Sequence, residues 1–62
     1  MAIYRFRVID KQGDLIGVHF LSFDSEAEAI RHADRAVGEY DCGRVEVWAG
    51  DTLISAAMQR LR

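Results

Sequence analysis

The residues able to do chemistry are few: His19 and His32, the single cysteine Cys42, Trp48, and the arginines Arg5 and Arg7. A cysteine nucleophile needs its thiolate held beside a base. Cys42 follows a helical segment whose solvent side carries His32, and no spacing joins the two, so Cys42 reads as a buried or half-buried inert thiol. A zinc site needs ligands at characteristic spacings. His19, His32 and Cys42 show none, so no metal and no cofactor is expected. Gly13 and Gly17 bracket Asp14-Leu15-Ile16 without the strand–loop–helix setting that cradles a phosphate. Asp24, Glu26 and Glu28 gather where they complement a helix start. Nothing assembles a nucleophile, a base and an oxyanion site, so no catalytic residue is assigned and an enzyme is not expected.

Trp48, His19, Arg5 and Arg7 fit one further chemistry, an aromatic and guanidinium platform for a base or a phosphate. Such platforms use two or three aromatics. Here only Trp48 lies near the expected sheet centre, and Glu46 stands beside it. With a net charge of −2, the chain is not expected to bind nucleic acid. An Arg–Glu rim around an apolar interface accounts better for these residues.

The elements that position them follow from periodicity. Residues 3–9 alternate, with Tyr4, Phe6 and Val8 on one side and Arg5 and Arg7 on the other, as in a half-buried strand. A polar loop from Asp10 to Asp14 leads to a second strand, residues 15–23, that is apolar on both faces. Ser25 and Glu28 form a capping box. Ala29, Ile30, Ala33, Ala36, Val37 and Tyr40 recur at helical spacing, opposite Glu28, Arg31, His32, Arg35 and Glu39. The helix is expected to end between Tyr40 and Cys42, with Gly43 as the break. Arg44–Ala49 alternates again, Gly50-Asp51 makes a two-residue turn, and a last strand runs from Thr52 to about Ala57. The turn is expected to set Trp48 against Leu53 and Val47 against Ile54. Residues 58–62 read as strand, helical turn or tail.

The order is ββαββ, an α+β fold in one domain spanning residues 1–62. A right-handed crossover predicts an antiparallel four-stranded sheet of order 2-1-3-4, with 2-1-4-3 the alternative and the helix across one face. The covered face is expected to hold Tyr4, Phe6, Val8, Val18, Phe20, Val45, Val47, Ile54 and Ala56. The open face would show Ile3, Arg5, Arg7, Ile9, His19, Leu21, Phe23, Glu46, Trp48 and Leu53. A solvated sheet face is ordinarily polar. Trp48 and Leu53, with Leu21 and Phe23 across the sheet and His19, Arg5 and Arg7 around them, therefore read as an interaction surface.

Size points the same way. A chain of 62 residues buries only about 60% of the surface it exposes when unfolded. Ordering costs of roughly 1.5 kcal/mol per residue nearly cancel that gain. With one cysteine and no metal set, close packing or a partner chain must close the gap. The expected partner is a second copy, joined by the open faces or by edge strands, or another protein. The first residues lack the apolar core of a signal peptide, and no apolar run is long enough for a membrane, so a cytoplasmic protein without membrane contact is expected.

Three stretches together, Tyr4-Arg5-Phe6-Arg7-Val8-Ile9-Asp10, Phe23-Asp24-Ser25-Glu26-Ala27-Glu28-Ala29 and Val45-Glu46-Val47-Trp48-Ala49-Gly50-Asp51 with Leu53-Ile54, are similar to a group of short uncharacterised alphaproteobacterial proteins of ββαββ pattern. The resemblance spans nearly the whole chain and implies a fold, with no activity or catalytic residue to transfer. The hairpin and acidic-capped helix also resemble the antitoxin half of small RNase toxin–antitoxin pairs, which would imply a sequestered partner. That family's Pro-containing loop is missing, since the sequence has no Pro. The order and the Trp48 hairpin resemble the β-grasp of ubiquitin-like proteins, but Arg60-Leu61-Arg62 stands where their di-Gly would be.

Overall fold

The computed structural model of the chain describes residues 2–40 and 42–58. Strand β1 (Ala2–Ile9) and strand β2 (Leu15–Phe23) form a hairpin, helix α1 (Glu26–Glu39) follows, and strands β3 (Arg44–Ala49) and β4 (Thr52–Met58) form a second hairpin. All pairings are antiparallel, in the order β2-β1-β3-β4, and the helix lies on one face. The expected ββαββ architecture and preferred strand order are both observed. Met58 belongs to β4. The remainder of the ambiguous tail, residues 59–62, lies outside the described residues.

Local chemistry explains the joints. Asp10 organises the first loop, its Oδ1 accepting from the backbone N–H groups of Gln12 and Asp14 at 2.9 Å. Gly13 completes the loop at φ 93°, a conformation that side-chain-bearing residues resist. Ser25 is the N-cap, its Oγ accepting from Glu28 N–H at 3.3 Å. Tyr40 is the C-cap and donates its N–H to Ala36 O at 2.9 Å. Gly43 donates its N–H to Ile9 O at 2.9 Å and tucks against the first loop so closely that a Cβ there would meet Asp10 O at 2.7 Å. In the second hairpin Gly50, at φ 60°, takes the positive φ that a two-residue turn needs at its first central position.

The core lies between the helix and the sheet. Tyr4, Phe6 and Val8 of β1 and Val45 and Val47 of β3 pack under Ala29, Ala33, Ala36 and Val37. The alanines let the helix come close, and it sits nearest β3 and β4. Cys42 is 1% exposed and belongs to this core as a free thiol. Two helix positions differ from the sequence reading. Tyr40 is 54% exposed: its ring stays on the side of Ala36, where both line a groove, but it is not packed into the core. His32 is half-buried instead of facing solvent, its ring 5.2 Å from Phe6 and 5.4 Å from Phe23.

Two strand faces are corrected as well. Directly opposed residues of antiparallel strands share a face. Phe6 opposes His19 and Tyr4 opposes Leu21, so His19, Leu21 and Phe23 turn toward the helix, while Val18 and Phe20 turn away. Alternation cannot decide this because both faces of β2 are apolar. The Asp10 loop and a bulge opposite Val8/Ile9 set the register instead. Inward placement brings the Phe23 ring into an aromatic cluster, 5.9 Å from Phe6 and 6.4 Å from Tyr4. In β4 a bulge between the pairs Val47↔Ser55 and Trp48↔Leu53 inserts Ile54. Trp48 faces Leu53 as expected, but Val47 pairs with Ser55 in place of Ile54. The extra residue reverses the alternation beyond it, so Ala57 is buried and Ala56 pairs with Glu46 on the open face.

Candidate interaction surface

The open face is built in rows that cross the sheet. One row runs Phe20, Arg5, Trp48, Leu53, one residue from each strand in the order β2-β1-β3-β4. The next runs Val18, Arg7, Glu46, Ala56. Beyond these, Ile3 pairs with Ser22 at one end, and Ile9, Arg44 and Met58 form a row at the other.

The centre is a charged aromatic cluster. Glu46, only 8% exposed, accepts from Trp48 Nε1 at 3.2 Å. Its Oε1 lies 3.4 Å from Arg7 Nη1 and its Oε2 3.3 Å from Arg44 Nη2. The Arg5 and Arg7 guanidinium carbons lie 5.2 Å and 5.9 Å from the Trp48 ring centroid, within cation–π range. Glu46 therefore fixes the indole edge and two arginine tips, and the indole face carries the arginines. Arg5 Nε and Arg44 Nε are buried and find no hydrogen-bond partner among the described residues.

Around this centre the surface is apolar and open to solvent. Phe20 is 68% exposed, and Ile3, Val18, Leu53 and Met58 are exposed with it. Of the residues expected on this surface, Arg5, Arg7, Trp48 and Leu53 are brought together there. His19, Leu21 and Phe23 are on the opposite face. Phe20, Val18 and Met58 take their place, and the signal that finds them is the strand register, not the sequence pattern.

His19 and Leu21 border a groove of about 220 Å³ between β2 and the helix. Its floor is Phe6, Val8 and Val45, and His32, Ala36 and Tyr40 form the other wall. At its mouth the His19 and Tyr40 rings lie nearly parallel, with centroids 6.4 Å apart. Strand β2 is thus exposed on both faces. Leu15, Ile16, Val18, Phe20 and Leu21 all keep large solvent-facing areas.

Among the described residues no three His, Cys, Asp or Glu side chains gather as a metal site requires. Among them, too, no helix is long and apolar enough to cross a membrane. No family model matches this chain, nor does any curated protein or solved structure.

Proposed function

We propose that this chain is a non-catalytic association module that pairs with a second copy of itself through the apolar surface of its sheet. The observation that carries this reading is the exposure of Leu15, Ile16, Val18, Phe20 and Leu21 side by side along strand β2. Contiguous apolar surface of this kind marks an interaction site in a soluble domain. It also lies where the chain's burial deficit can be made good. Room is sufficient. A standard interface takes roughly 800 Å² from each partner, a modest part of the chain's 4403 Å² of accessible surface. Sedimentation equilibrium across micromolar to millimolar concentrations tests the reading. A two-chain mass that grows with concentration is expected, and a one-chain mass throughout contradicts it.

A second reading rests on one structural observation, the Phe20–Arg5–Trp48 row. It gives the open face two aromatics around a guanidinium, nearer to a single-stranded nucleic-acid platform than Trp48 alone. That reading requires salt-dependent quenching of Trp48 fluorescence by short oligonucleotides, lost in Arg5→Ala and Arg7→Ala. No quenching at low salt excludes it.

A further inference from the structure

We infer that the two copies meet edge to edge, β2 against β2, in an antiparallel ladder centred on Phe20; the inference rests on the self-association reading above and names how the copies join. Among the described residues strand β2 is at the sheet edge, with β1 as its one neighbouring strand, so its outer N–H and C=O groups form an open template for another strand. Proteins ordinarily protect such an edge with charges, proline or an inward-pointing lysine. β2, reading Leu-Ile-Gly-Val-His-Phe-Leu-Ser-Phe, has no acidic or basic residue other than His19 and no proline. Its one irregularity lies before Gly17, which leaves Gly17–Phe23 regular.

The competing surfaces are less suited to a second copy. The strand residues of the open face carry three arginines and one glutamate, so packing face to face would bring together two like-signed centres. The β4 edge is interrupted by the Ile54 bulge, and the helix already holds Ala57 and Ile54 against the core. β2 has both faces exposed, so a neighbour adding to its edge covers apolar surface above and below the ladder together.

A two-fold axis perpendicular to the sheet at Phe20 pairs the regular stretch with itself. Phe20 meets Phe20 of the second copy on the open face, a favourable aromatic cross-strand pair. His19 meets Leu21 on the helix side, Val18 meets Ser22, and Gly17 meets Phe23. Both helices then lie on one side, and the two four-stranded sheets join into one of eight strands. The grooves beside β2 close on each other, and the arginine centres stay apart.

Solution mass is measured for the wild type, Leu21→Lys and Leu53→Asp, with far-UV circular dichroism to check folding. The expected result is a two-chain mass for the wild type and Leu53→Asp, and its loss in Leu21→Lys, where the inward lysine blocks the edge. A dimer lost in Leu53→Asp but kept in Leu21→Lys overturns the edge inference and leaves self-association standing. A one-chain wild type overturns both. If Leu21→Lys does not fold, cross-linking with a short bismaleimide decides, since Cys42 is buried. Phe20→Cys is expected to give covalent dimer and Thr52→Cys, on the β4 edge, none. No dimer from Phe20→Cys, or equal yields from both, overturns the inference.

Discussion

Glu46 holds the open face together. One carboxylate binds the Trp48 indole, Arg7 and Arg44, and it does so while almost wholly buried. Removing its charge takes away the one counter-charge that the described residues offer Arg7 and Arg44, on a face that already carries Arg5. Glu46→Gln is therefore expected to cost about 1–3 kcal/mol, read as a lower urea midpoint at unchanged slope. Gly43 is fixed by a different force. A methyl group at this position would strike the Asp10 carbonyl, which is backbone and cannot swing away. Gly43→Ala is expected to lose about 1–3 kcal/mol, and it should loosen the Asp10 loop in amide hydrogen exchange. Gly38 is the control. It sits inside α1, and a methyl group added there would meet none of the described residues within 4 Å. Gly38→Ala should therefore raise stability by about 0.5–1 kcal/mol through helix propensity alone.

At the scale of elements, the caps and turns are legible in the sequence because their chemistry is local. Ser25 with Glu28, Gly13, Gly50 and the run of alanines each specify a backbone state within a few residues. The element order and strand order follow from them. Ser25→Ala is expected to cost about 1 kcal/mol, seen as a lower thermal midpoint with the same folded spectrum. What is not legible is parity. β2 is apolar on both faces, so nothing within it shows that Phe23 points inward. That is settled by a bulge near Gly17 and by the aromatic contacts Phe23 makes with Phe6, Tyr4 and His32. In β4 a single inserted Ile54 exchanges Ala56 for Ala57. Arg5, Arg7 and Trp48 can be placed on the open face from the sequence because β1 and β3 alternate cleanly, and Leu53 because the Gly50-Asp51 turn sets it against Trp48. Phe20 falls on the wrong face in the sequence pattern because β2 does not.

For the whole molecule, the shortage of burial and the surplus of exposed apolar surface meet at β2. The helix lies toward β3 and β4, and β2 is left overhanging with solvent on both sides. An uncharged edge in that position invites a further strand, and a second copy supplies one identical in length and pattern. Self-association of the intact chain is what light scattering of the wild-type protein reads without any substitution. Through a concentration series, a mass rising from one chain to two and stopping there is the predicted result. A mass that stays at one chain up to millimolar concentration contradicts it.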